Sequence, residues 1–231
     1  MRILCIGAHP DDIEFACGGI LLAEQARGGE LSLCICSRGE SATNGTPDER
    51  EAEARAAAEL LRAKITFLEL GGDAHIEATT HNALTLARQI RIEKPDVLLS
   101  SVASEDQHPD HAVVARLARN AARLARYGGI EELRDLEAHA VTHHFEYAVT
   151  PGAEPNKGRM RFDISAQFTR WVALMECHRT QLRTRRYIEL QTARARLLGI
   201  EAGVEYAQAL FAKDELLVRA FADLPRSVRL F

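Results

Sequence analysis

The chain has 231 residues, 46% of them apolar, and a formal net charge of -4. That size and apolar content suit one ordinary domain with a sizeable core, and the mildly acidic balance gives no electrostatic footprint for nucleic acid. The N-terminal "MRILCIGAHP" has too short an apolar run for a signal peptide or a membrane span, so the simplest expectation is a cytoplasmic enzyme with no nucleic-acid or membrane partner. Cys5, Cys17, Cys34, Cys36 and Cys177 form an odd set without zinc-ribbon or disulfide spacing. They read as small core residues in a reducing compartment.

In chain order, β-rich runs stand at residues 2–7 ("RILCIG"), 31–36 ("LSLCIC"), 65–70 ("ITFLEL") and 96–102 ("DVLLSSV"). The connections between them are long enough for helices. One is "PDEREAEARAAAELLRA", rich in strong helix formers and opened by Pro47. After the fourth run, Val114, Leu117, Ala118, Ala121 and Leu124 recur at helical spacing. The pattern loosens at Gly128 and Gly129; a further strand is expected in "HAVTHHFEYAV", then a loop "TPGAEPNKG", then a helical third from residues 163–165. The alternation predicts an α/β, Rossmann-like three-layer fold with a mostly parallel sheet and a helical C-terminal region. One domain covers 1–231, with the core in about 1–150 and the helical elaboration in about 151–231.

In the commonest doubly wound order, 3-2-1-4, the first and fourth strands are neighbours and a ligand crevice opens beyond their carboxyl ends. The first strand leads into His9-Pro10-Asp11-Asp12, and the fourth into "ASEDQHPDH", which carries His108, Asp110 and His111. Imidazoles and carboxylates together suit zinc or another divalent metal, and a catalytic site keeps three protein ligands plus a position for water. His9, Asp12 and His111 can supply that set. Asp11 is then left to take a proton from water, His108 to steady a developing oxyanion, and Asp110 to orient His108 and favour its protonated form. Acids in the first turn of a helix are also favourable without any catalytic role, so the two clusters must meet for this reading to hold. A two-metal phosphoesterase needs more bridging ligands than the sequence offers, and neither G-x-G-x-x-G nor a P-loop is present.

"GAHPDDIEFACGG", "SRGESATNGTPDEREAEARAAAELL" and "EDQHPDHAVVARLARNAA" together resemble the LmbE/PIG-L family of zinc-dependent N-acetylglucosaminyl deacetylases. "FDISAQFTRWVALMECHRTQ" and "ARARLLGIEAGVEYAQALFAKDELLV" resemble the C-terminal part of its bacillithiol-biosynthesis branch. The resemblance implies zinc on His9, Asp12 and His111, Asp11 as general base, and His108 at the oxyanion. It further implies Arg50 and Asp73 as sugar-binding residues, with Arg38 and Glu40 at the crevice edge. The implied reaction removes the acetyl group of an N-acetylglucosaminyl conjugate, first of all N-acetylglucosaminyl-malate. Another N-acetylglucosaminide, such as a chitooligosaccharide or an antibiotic glycoside, or a catalytically silent metal- and carbohydrate-binding protein, are the alternatives. A malate aglycone would need cations, for which Arg183, Arg185 and Arg186 are candidates. A homo-oligomer is expected by analogy, and His143 and His144 read as structural. The chain departs from the branch at Gly71-Gly72, where Leu-Pro is common, and at Gln107, where a basic residue is common. The first departure is expected to loosen the loop that carries Asp73.

Overall fold

The apolar runs become strands of one sheet in the computed structural model, which describes residues 1–104, 108–156 and 158–228. The strands are β1 (Arg2–Gly7), β2 (Glu30–Ile35), β3 (Lys64–Phe67), β4 (Val97–Ser101), β5 (His143–Tyr147), β6 (Arg159–Asp163) and β7 (Ala207–Ala212). Their order in space is β3-β2-β1-β4-β5-β7-β6, so β1 and β4 lie side by side as the doubly wound pattern requires. Ile3 sits between Leu31 and Val97, Leu4 between Ser32 and Leu98, and Cys5 between Leu33 and Leu99. All five residues of β4 are buried, Ser100 and Ser101 included, as in a strand covered on both faces.

Helices α1 (Asp12–Ala26), α2 (Pro47–Leu61), α3 (Thr80–Glu93), α4 (Pro109–Ala125), α5 (Phe168–Met175) and α6 (Tyr187–Ala202) cover the sheet. Successive strand residues point to opposite faces. Ile3 and Cys5 join Leu21, Leu61, Trp171 and Leu174 in one core, and Leu4 and Ile6 join Leu86, Ile90, Leu117 and Ala121 in the other. The result is three layers with the sheet in the middle. Thr46 caps α2 with a full capping box to Glu49, which explains why that helix was visible from its first residues. No described helix is long and apolar enough to cross a membrane. The five cysteines are free, and all but Cys177 are buried.

The C-terminal third differs from the all-helical expectation in one respect. Besides α5 and α6 it supplies β6 and β7, with β7 antiparallel to both β5 and β6. Neither "RMRFD" nor "AQALFA" carries a strong β-branched, alternating signal. The strand state of β7 follows from pairing with β5, and that of β6 from pairing with β7, a tertiary effect that local propensity does not record. Gln107, one of the two departures noted above, lies outside the described residues, as do its neighbours Glu105 and Asp106.

Candidate metal and hydrolytic site

The turn after β1 is closed by Asp12, the first residue of α1. Its Oδ2 accepts the backbone N–H groups of Ala8 at 3.0 Å and His9 at 2.9 Å, which leaves Oδ1 free to meet His111 Nε2 at 3.0 Å. His111 stands on the first turn of α4, and its Nε2 lies 3.3 Å from His9 Nδ1. His9 Nδ1 is 3.7 Å from Asp12 Oδ2. A tetrahedral metal with ligands at about 2.0–2.1 Å has ligand-to-ligand edges of about 3.3 Å, so these three donors converge with the spacing such an ion needs. All three residues are at most 6% exposed. Burial disfavours the Asp12 charge, yet His111, His9 and the backbone N–H hold its carboxyl well below the usual carboxylate range. Two imidazoles and an ionised carboxylate on one dry point fit zinc or a similar divalent ion.

The far edge of His9 is held as firmly. Its Nε2 lies 3.1 Å from Asp110 Oδ2 and 3.1 Å from Asp73 Oδ1, the carboxylate backing that fixes the tautomer of a ligating histidine. Burial opposes a charged ring, but these carboxylates and Asp12 outweigh it and push His9 up to about 10. Asp110 meets His108 chiefly through its backbone N–H. Its carboxylate serves His9 and accepts the Ala74 N–H at 2.7 Å, while His108 Nδ1 stands 3.9 Å away, beyond a hydrogen bond.

His108 itself caps α4, its Nδ1 accepting the Asp110 backbone N–H at 3.3 Å. Burial, and next the charge of His9, lower its pKa, against the pull of Asp110 and Asp73, the direction that favours the neutral ring; with Nδ1 accepting, a neutral ring carries its proton on Nε2. That ring lies edge-on to His9 with centroids 4.6 Å apart, and it still offers one N–H donor.

Asp11 occupies the N-cap position of α1, but its side chain does not cap the helix. It sits at φ 109°, ψ -31° and makes no side-chain capping hydrogen bond, a conformation strained for a residue with a Cβ. Burial raises its pKa to about 6, against the pull of Arg50. Arg50, on α2, reaches across to donate to Pro10 O at 2.8 Å and Asp11 Oδ2 at 3.3 Å. Its path runs over Gly39, at φ 74°, where a Cβ would fall 1.8 Å from Arg50 Nη1; the glycine is the space that the guanidinium occupies.

Asp73 also lines the cavity, with its carboxylate directed at His9. The loop that carries it is fixed rather than loose: Gly71 and Gly72 adopt φ of 115° and 89°, which proline cannot reach, and a Cβ on Gly71 would lie 2.4 Å from His75 O. Glu40 Oε2 accepts the Asp73 N–H at 2.8 Å, and Ser41 Oγ donates to Asp73 O at 2.8 Å. Arg38 turns away to Asp48 and Glu51. Glu40 is therefore a brace for the Asp73 loop, and Arg38 belongs to the surface of α2.

These groups form the floor of a cavity of about 780 Å³. Ser41, Thr43, Asn44, Thr150, Gln181 and Thr184 line it with hydroxyl and amide groups. Phe15 and Tyr187, stacked with centroids 5.5 Å apart, add an apolar wall. Of the three candidate arginines only Arg185 lines the cavity; Arg183 pairs with Glu49 and Arg186 with Glu189. His143 stacks on Phe145, and His144 bonds Ser100 Oγ at 2.9 Å, both within the sheet and apart from the cavity. Sequence reasoning gave no role to the wall residues from the C-terminal third, nor to the buried pair of His178 Nε2 and Glu14 Oε1 at 3.5 Å behind Phe15. "ECHRTQ" holds both His178 and Gln181, yet nothing in it says which faces the core and which the cavity.

Fold and site together define an α/β protein with a three-residue metal-type cluster at the carboxyl ends of adjacent parallel strands. The chain belongs to the PIG-L family, GlcNAc-PI de-N-acetylase, whose match spans residues 4–122. It is similar to the uncharacterized deacetylase YaiS of Escherichia coli, 29% identical over 126 residues that make up 52% of this chain and 68% of that protein. It is also 29% identical to 4-oxalmesaconate hydratase of Pseudomonas putida over 138 residues, 54% of this chain and 53% of that one. Among solved structures, the conserved protein TT1542 of Thermus thermophilus superposes with TM-score 0.81 at 29% identity, covering 94% of this chain and 96% of the other. The N,N'-diacetylchitobiose deacetylase of Pyrococcus horikoshii shares the fold, with TM-score 0.79 at 20% identity over 90% and 82% of the two chains.

Proposed function

We propose that the protein is a metal-dependent N-deacetylase acting on an N-acetylglucosaminyl conjugate. The observation that carries this reading is the convergence of His9 Nδ1, Asp12 Oδ1 and His111 Nε2 beside an Asp11 that is strained, partly buried and uncommitted to side-chain helix capping. Zinc, or another divalent ion, held by those three residues would supply Lewis acidity toward the amide carbonyl and an attacking water. Asp11, with its pKa near the working range, takes the water's proton and returns it to the departing amine nitrogen. His108 Nε2–H steadies the oxygen that gains charge as the carbonyl carbon becomes tetrahedral. Asp73 and Asp110 hold His9, and Arg50 keeps Asp11 in place and ionisable. The hydroxyl and amide belt with its aromatic wall suits a pyranose, polar at its rim and apolar on its faces. Arg185 is the cation available to a carboxylate on the aglycone, which favours N-acetylglucosaminyl-malate among the substrates considered. The absence of a described membrane-crossing helix is compatible with the expected cytoplasmic setting.

A second reading is supported by the similarity to the hydratase: the same base beside the same metal site would add water to a carbon–carbon double bond. The discriminating experiment measures acetate release by zinc-loaded protein from N-acetylglucosaminyl-malate and from N-acetylglucosamine, with loss of 4-oxalmesaconate absorbance followed in parallel. Acetate release that falls about 10²–10⁴-fold in Asp11→Asn at unchanged metal content supports the deacetylase. Turnover of the oxo acid alone would transfer the site to hydratase chemistry.

A further inference from the structure

A separate cavity of about 310 Å³ opens near the amino ends of the parallel strands, at the end of the sheet opposite the crevice. Arg119, Arg123 and Arg126 reach it from α4, Thr142 and His144 from the start of β5, and Lys213 and Asp214 from the segment after β7. Glu146 Oε1 holds Lys213 Nζ at 2.5 Å, and Arg126 leans on the Tyr127 ring, 5.3 Å from its centroid. Arg119 and Arg123 are exposed and make no ion pair among the described residues. Elsewhere the chain pairs its surface arginines, Arg55 with Glu51, Arg88 with Asp135 and Arg134 with Glu131. Like charges three and four residues apart on a helix repel, so this face of α4 is strained electrostatically until an anion lies on it. Cations near a helix C-terminus ordinarily answer the negative end of its dipole. Here buried Arg91 already does so from beneath, donating to Ala125 O at 3.0 Å and Tyr127 O at 2.6 Å. Burial, and next the charge of Lys213, push His144 down to about 4, against the pull of Asp214. The positive charge of the cavity therefore rests on the arginines and Lys213.

We propose that this cavity binds a small dianion, a phosphate monoester or a dicarboxylate, on Arg119 and Arg123, with Arg126 and Lys213 at its sides. Four cations, Arg119, Arg123, Arg126 and Lys213, stand against two carboxylates, Glu146 and Asp214. Two positive charges are left over, the complement of a doubly charged ligand. Guanidinium groups present paired N–H donors that match the oxygens of phosphate and carboxylate groups, and Thr142 adds a hydroxyl to the wall. The volume lies at the lower end of the range for small-molecule pockets, about 300–1,000 Å³, which is room for a metabolite. Arg119 and His111 stand on the same helix, about 12 Å apart along its axis. The anion site is thus distinct from the crevice, and its occupant does not compete for the donors there.

The test is isothermal titration calorimetry of the full-length, zinc-loaded protein with glycerol 3-phosphate and, separately, with succinate. Saturable binding of one molecule per chain is expected for at least one of them, and the tighter of the two names the class. Arg119→Ala and Arg123→Ala should each weaken it about tenfold, and the double variant should abolish it, with circular dichroism and metal content unchanged. Arg116→Ala removes an exposed cation of the same helix outside the cavity and should leave the affinity within about twofold. His111→Ala should also retain binding, since the crevice is not the receptor. No saturable heat with either probe would overturn the proposal. Loss of binding in His111→Ala but not in Arg119→Ala would place the anion on the crevice metal and overturn it as well. Equal losses in Arg116→Ala and Arg123→Ala, or retention on heparin without binding of either probe, would reduce the site to a diffuse basic surface, again against the proposal.

Discussion

The crevice and the C-terminal third invert the ordinary distribution of polarity in opposite ways. At the crevice, His9, Asp12, Asp73, Asp110 and His111 are all buried, although ionisable groups are rarely buried unless paired. In the C-terminal third, leucines and a phenylalanine stand in water. Each inversion costs stability in the isolated chain; at the crevice, a cation held by the buried donors would relieve it. The pattern of what a chain leaves unsatisfied is thus a guide to what it binds.

The comparison can be broken most severely at the ligands. His111→Ala should remove metal retention, measured by elemental analysis after dialysis, by more than the roughly 10–100-fold that loss of an outer partner costs, and acetate release should vanish with it. Asp110→Asn weakens the backing of His9 without removing a donor. Its expected effect is therefore that smaller loss of about 10–100-fold in metal affinity. A loss no larger than that of a surface substitution would mean that Asp110 does not hold His9.

The charge state of Asp11 gives the next effect. A base works only when ionised, so the rate should rise with pH through about 6 and fall about tenfold per unit below it. A flat acid limb from pH 5 to 7 (about one unit either side of that value) would exclude Asp11 as the base. Gly39→Ala forces both a strained φ and a clash with Arg50; it should cost about 1–3 kcal/mol in chemical denaturation and raise KM. The smallest effect is expected at Arg38, whose partners are the acids of α2. Arg38→Ala should change stability by less than about 1 kcal/mol and leave kcat unaltered.

Much of this was legible in the sequence because the relevant signals are local. The four apolar runs and the capped, Pro-opened α2 set the order of the first half, and the doubly wound order by itself joins the two His/Asp turns. The assignments that needed correction concern contacts between distant segments. Asp110 lies two residues from His108 and meets it through its backbone N–H, but its carboxylate turns toward His9, in the turn after a distant strand. Gly71 and Gly72 read as looseness, whereas their positive φ values build a specific bend. β6 and β7 gained strand structure only from a neighbour reached late in the chain. No local pattern encodes the orientation of a side chain across a crevice.

The φ of Asp11 also bears on how the protein can change. Glycine would occupy that backbone conformation without penalty, so a search for thermostable variants would find Asp11→Gly attractive, gaining part of the about 1–3 kcal/mol stored there while removing the proposed base. Folding and turnover therefore pull on one residue in opposite directions. Consensus or stability-driven redesign of this chain should hold residue 11 fixed, because the melting temperature would reward its loss.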